Sequence, residues 1–336
     1  MISLKHFSTQ QRQSLLSLRP LETHIGERVH WLEQFTARAL HAAKAHGARF
    51  ALIGINEDIG PRANLGRGGS GPGFLACLQQ LLNWQNNEFF DGNSLLIVGE
   101  IHCHTDAPTV EALRQQLSQL DDTVTQIASQ LFAAGLEPIV IGGGHNNAFG
   151  LIEALHQYTQ QGVSAVNLDP HSDFRPTEGR HSGNGFSYAA ASGALQQYQI
   201  LGLHEHKNSS ASLQQLAEFN GRFHSYQAIW QRRELSFSAA IDDIMAHLAP
   251  DAPLALELDV DAISYMPSSA MTCAGVSLTD ACYYLSRFSR ECQPYYCHLA
   301  EAAPNCHPAG IDAGMRHTGQ ALAELAMSYM QGRLAQ

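Results

Sequence analysis

NLDPHSDFRP, from Asn167 to Pro176, follows the apolar run GVSAV and sets two aspartates and a histidine at alternate positions. A strand end projects every second side chain to the same side. Asp169, His171 and Asp173 therefore converge if the backbone stays extended. Three such groups in five residues fit a metal site. They fit an Asx-turn fixed by Pro170 equally well, so the rest of the chain must supply further ligands.

The pattern of the opening stretch recurs along the chain. RFALIGI (49–55), SLLIVGE (94–100), EPIVIGGG (137–144), VSAVNLD (163–169), YQILGL (198–203), PLALELDVD (253–261) and YYCHLAE (295–301) read as buried strands. Helical spacing is expected over 26–47, 74–82, 109–134, 148–160, 236–248 and 279–289. Short apolar strands alternating with helices imply βαβ units and a mostly parallel sheet. The expected fold is α/β, a three-layer αβα sandwich forming one domain over 1–336, with 1–48 as a helical extension. NEDIGPRANLGRGGSGPG (56–73) reads as a long loop of the kind that carries function. Its glycines match neither a Walker A nor a dinucleotide fingerprint.

On that frame, strand ends carry the polar residues. His145 follows EPIVIGGG, Asp259 and Asp261 close PLALELDVD, and Glu301 follows YYCHLA. Ligand sites of open parallel sheets form beyond the carboxyl ends of the strands. A set rich in carboxylates, with imidazoles and no thiolate, favours Mn²⁺ or a similar ion over structural zinc. Four aspartates and two histidines suit two divalent ions better than one, because one ion leaves a strongly anionic buried cluster. Two ions activate a bridging water, so the expected chemistry is hydrolytic.

Composition narrows the classes. The 336 residues include 20 Lys and Arg against 31 Asp and Glu, a formal charge of -11. That balance argues against a nucleic-acid surface, which needs a basic stripe. No apolar run approaches the ~20 residues that span a bilayer. The first residues lack the apolar core of a signal peptide, and a cytoplasmic location is expected. Seven cysteines without a CxxC pair read as reduced, mostly structural thiols.

GGGHNNAFG (142–150), NLDPHSDFR (167–175) and ELDVD (257–261), in this order and spacing, resemble the ureohydrolase superfamily of arginase, agmatinase and formimidoylglutamase. GRGGSGPG (66–73) and HLAEAAP (298–304) extend the resemblance over most of the chain from about residue 49. The GGGH form is closest to the formimidoylglutamase branch. The resemblance implies an arginase-like fold, a homo-oligomer (trimer or hexamer), and two Mn²⁺ per chain. One ion would be held by His145, Asp169, Asp173 and Asp259, the other by His171, Asp169, Asp259 and Asp261. It also implies that Glu301 pairs with the cationic guanidinium or amidinium of the substrate. Ser182 and Asn184, in HSGNG (181–185), would hold the substrate's amino-acid end. The superfamily more often has GGDH, DAH and DPxxxP where this chain has GGGH, DPH and DAISYMPSS, and an arginase has a histidine where Gly185 stands. These departures leave the ligand set intact and argue against arginase itself.

The expected reaction is hydrolysis of N-formimidoyl-L-glutamate to L-glutamate and formamide, with Asp173 passing a proton to the departing amine. A dicarboxylate substrate needs cationic partners. Arg175 and Arg180 flank the metal motif, and Arg62, Arg67 and Arg316 are further candidates. A ureohydrolase acting on agmatine or a guanidino acid shares the chemistry but needs a different pocket. An inactive relative acting as a binding protein predicts a broken ligand set, and a zinc deacetylase of the same fold predicts fewer aspartates.

Overall fold

Strands that read as continuous apolar runs belong inside a sheet covered on both faces, and the computed structural model, which describes residues 2–335, shows that arrangement. In chain order the elements are β1 (Ile2–Lys5), α1 (Thr9–Ser14), β2 (His30–Trp31), α2 (Ala37–Ala45), β3 (Phe50–Asn56), α3 (Ile59–Ala63) and α4 (Gly73–Leu81). Next come β4 (Leu95–Cys103), α5 (Val110–Ala133), β5 (Glu137–Ile141), α6 (Ala148–Thr159), β6 (Val163–Leu168), α7 (Gly185–Ser192) and β7 (Leu195–Leu203). The chain closes with α8 (Ser210–Glu218), β8 (Arg222–Ser225), α9 (Phe237–Ala246), β9 (Leu254–Asp259), α10 (Leu278–Glu291), β10 (Tyr296–Ala300) and α11 (Ile311–Leu334).

The ten strands form one sheet in the order β1-β4-β3-β5-β10-β9-β6-β7-β8, with β2 also on β4. Every pairing is parallel except β1 with β4. Successive strand residues feed opposite cores: Leu254, Leu256 and Leu258 of β9 face one, Ala255 the other. The first core is covered by α4, α9, α10 and α11, the second by α2, α5, α6 and α7. This is the expected three-layer αβα architecture. Ser and Thr begin many of the helices: Thr109, Ser236 and Ser277 each accept a backbone N–H of their own first turn.

Residues 1–48 are not simply a helical extension. β1 pairs with one end of β4 and β2 with the other, so this segment closes a sheet edge. The helical spacing read over 26–47 produces an α-helix only from Ala37, where Thr36 accepts the N–H of Ala39; a single 3-10 turn, Ile25–Glu27, lies at the start of that range. Upstream, the edge of β4 captures His30 and Trp31, and tertiary pairing overrides the local periodicity. The loop 56–73 contains the short helix α3, and β8 has no counterpart in the sequence reading because its pattern is mixed and half exposed.

Candidate metal centre

β5, β10, β9 and β6 lie side by side at the middle of the sheet. Chain order reverses between them, which makes their carboxyl edge a topological switch point. His145, Glu301, Asp259 with Asp261, and the Asp169–Asp173 loop all leave that one edge. The turn ahead of His145 needs its glycines, since Gly142 and Gly143 have φ of 93° and 69°. At Gly144, where the superfamily more often has Asp, a Cβ would lie 2.4 Å from Asn146 Oδ1 and 2.5 Å from Pro61 Cδ. The Glu57 carboxylate fixes this turn by accepting the Gly144 N–H at 2.6 Å and the Asn147 side chain at 3.0 Å.

Two groups of donor atoms converge there. In the first, His145 Nδ1 lies 3.2 Å from Asp169 Oδ2, 3.2 Å from Asp173 Oδ2 and 3.4 Å from Asp259 Oδ2. The second comprises His171, Asp259 and Asp261, with His171 Nδ1 3.9 Å from Asp261 Oδ2 and 3.5 Å from Asp169 Oδ1. Asp259 belongs to both groups, and Asp169 borders the second. Their outer oxygens are anchored, Asp169 Oδ1 by the His171 N–H and Asp259 Oδ1 by the Asp261 N–H, both at 2.7 Å. Asp173 and Glu301 sit in the left-handed region, at φ 45° and 67°. Such strain costs on the order of 1–3 kcal/mol for a non-glycine residue and concentrates at functional sites.

These residues fit divalent cations. His145 Nδ1 and Asp261 Oδ1 are buried and make no hydrogen bond, although carboxylates crowd the imidazole. Donors that approach without bonding one another surround a common point, as ligands do. The carboxylates of the cluster also outnumber its two imidazoles, His145 and His171. Burial, then the charges of Asp261 and Asp169, push the Asp259 carboxyl well above the usual carboxylate range. Burial, then Asp259 and Asp261, do the same to Glu301. Burial opposes charge on His171, but Asp169 and Asp261 outweigh it and raise its pKa to about 9. Cations would replace these protons.

Beneath the first group, Glu257 orients His145. Its carboxylate lies 3.3 Å from His145 Nε2, accepts His298 Nδ1 at 2.7 Å, and accepts the Tyr296 hydroxyl at 2.6 Å. With Nε2–H directed at Glu257, the Nδ1 lone pair faces the aspartates. A carboxylate behind a ligating histidine raises its basicity and fixes its tautomer. Glu257→Gln is therefore expected to weaken metal binding by about 10–100-fold, measured as the Kd for Mn²⁺ by competition with a chelator. An unchanged Kd would remove Glu257 from the account. The sequence offered one signal for it, an acid in the otherwise apolar run LALEL.

A cleft of about 370 Å³ opens over both groups. Asp173, Asp259, Asp261, Glu301, His171, Arg175 and Ser182 line it. Arg180 does not. It is 4% exposed, binds Asp121 through Nε at 2.8 Å and Nη2 at 3.1 Å, and donates to the Asn146 carbonyl. Asn184 is likewise occupied, accepting from Arg180 Nη1 and donating to the Pro176 and Gly179 carbonyls. Both residues brace the loop from beneath, so their expected contact with substrate is corrected. Arg62 bonds Asp58, Arg67 reaches the Ser269 carbonyl, and Arg316 is exposed on α11; none of them lines the cleft. Asn64, Lys207 and Ser269 do line it. Their approach depends on loop packing that no local pattern announces.

Comparison with known proteins matches residues 48–331 to the arginase family. The chain belongs to the arginase family. Among curated relatives, formimidoylglutamase of Streptococcus pyogenes serotype M3 is 30% identical over 227 residues, 65% of this chain and 65% of that protein. Among solved structures, formimidoylglutamase of Bacillus subtilis matches with a TM-score of 0.73 at 15% identity, over 94% of each chain. Trypanosoma cruzi formiminoglutamase with Mn²⁺ matches with a TM-score of 0.72 at 19% identity, over 93% of this chain and 98% of that one. At these identities the structural likeness establishes the arginase-like fold.

Proposed function

We propose that this arginase-family protein hydrolyses the amidine C–N bond of N-formimidoyl-L-glutamate, giving L-glutamate and formamide, with two Mn²⁺ as cofactors. The observation that carries the reading is the pair of donor groups sharing Asp259 on the floor of a cleft that also holds Glu301. His145, Asp169, Asp173 and Asp259 would hold one ion, and His171, Asp169, Asp259 and Asp261 the other. Oxygen and imidazole donors without thiolate suit manganese. When bound, such a pair supplies an activated water at neutral pH.

The chain's own residues account for the remaining steps. Glu301 is held by the His145 N–H on Oε1 at 2.9 Å and by Ser269 Oγ on Oε2 at 3.2 Å. A carboxylate so fixed in a buried site pairs with the amidinium and sets its carbon over the floor. Attack of water on that carbon and cleavage of its bond to the glutamate nitrogen release formamide. The departing nitrogen needs a proton, and Asp173, on the cleft wall, is placed to relay to it the one that the attacking water loses.

The match to the curated formimidoylglutamase spans 65% of that protein, so activity decides the substrate. The manganese-loaded protein is expected to release formamide from N-formimidoyl-L-glutamate and no urea from agmatine or a guanidino acid. Urea release without formamide would replace this substrate with a guanidino compound. Among the described residues, no helix is long and apolar enough to cross a membrane.

A further inference from the structure

Selectivity for an acidic substrate needs a cation in the cleft that is free to pair. Of the arginines considered from the sequence, Arg175 alone lines the cleft, and it is already engaged. Its Nη1 donates to Asn64 Oδ1, and its Nη2 lies 3.9 Å from Glu178 Oε1. Lys207 lines the same cleft, in the loop after β7. Among the described residues no carboxylate forms an ion pair with it.

The segment carrying Lys207 is built rather than loose. The Lys207 N–H donates to the His204 carbonyl at 3.0 Å. The neighbouring Asn208 accepts the Ser172 N–H at 2.7 Å and donates to the Pro170 and His204 carbonyls, each at 3.0 Å. His204 N–H reaches the Pro170 carbonyl at 2.8 Å. These bonds latch the β7 loop onto the loop that carries Asp169, His171 and Asp173. The backbone that carries Lys207 is thus tied to the β6 loop, which also holds Arg175, while Glu301 follows β10.

We propose that Lys207 is a specificity-determining residue that pairs with a carboxylate of the substrate and repels substrates ending in an ammonium. The inference rests on the amidine-hydrolase reading above and adds the group that selects the acid. A lysine ammonium is a compact point charge that needs no fixed bidentate geometry, so it suits a flexible aliphatic acid.

The test compares wild type with Lys207→Met and Lys207→Glu, each loaded with Mn²⁺. With N-formimidoyl-L-glutamate, Lys207→Met is expected to raise KM by about 10–100-fold, the range of a charge-assisted hydrogen bond, while kcat changes little. Lys207→Glu should raise KM further. Bound manganese should stay at the wild-type level in both. An unchanged KM in active Lys207→Met protein would overturn the proposal, as would a defect confined to metal content. Inactivity of the wild type itself would instead overturn the assigned reaction. In that event titration with L-glutamate decides the role of Lys207: heat of binding in wild type that is lost in Lys207→Met supports it. Equal heats, or none in either protein, overturn it.

Discussion

Asp259→Asn should lower the rate of the proposed amidine hydrolysis by at least ~10³-fold, because water activation at neutral pH would depend on a cation pair that shifts the water pKa from 15.7 to about 7. Asp259 is the carboxylate common to both donor groups. Asparagine preserves its shape and the Oδ1 that accepts the Asp261 N–H at 2.7 Å, but it removes the shared charge. The fold should persist. Burial, with Asp261 and Asp169 beside it, pushes this carboxyl far above the carboxylate range and so favours its neutral form, which a neutral side chain of the same shape replaces at little cost to the fold. Steady-state formamide release and metal content check the expectation together. A variant that keeps full metal and more than about a tenth of the wild-type rate, roughly 1.4 kcal/mol in barrier, would show that Asp259 is not shared.

The largest stability effect is expected at Asp121, outside the cleft. Asp121 and Arg180 are 6% and 4% exposed, and two hydrogen bonds join them. Arg180 also lies over the rings of Phe149 and Tyr188, with centroids at 4.7 Å and 4.8 Å. Asp121→Ala strands a buried guanidinium, a change that costs about 3–5 kcal/mol. Urea unfolding of the variant should show that loss as a lowered midpoint. Asp121→Leu combined with Arg180→Met should recover most of it, because removing both charges leaves neither unpaired. A single variant within about 0.5 kcal/mol of wild type, the range of ordinary surface changes, would mean the pair is not a structural brace.

The sheet was legible because strands buried on both faces must be apolar throughout, as LALEL and EPIVI show. The candidate ligands were legible because their short segments follow such strands, and the topology then brings β5, β10, β9 and β6 together. Arg180 misled because a cation near a metal motif in sequence can turn beneath it; its partner Asp121 lies on α5, distant in the chain. Lys207 and Asn64 were missed for the converse reason. They reach the cleft through loop contacts such as those of Asn208 with Pro170, which exist only in the packed fold. The edge strands at the amino terminus escaped for a similar cause, since β4 rather than local sequence recruits them.

The central claim is that residues at the ends of three strands, β5, β6 and β9, build one centre for two ions. The most direct measurement is elemental analysis of protein reconstituted with Mn²⁺ and passed through a desalting column. The account predicts about two manganese ions per chain, as a two-metal hydrolytic centre requires, and a retained content near zero when His145 and Asp259 are both replaced. Wild-type protein that holds one ion or none under these conditions would contradict it.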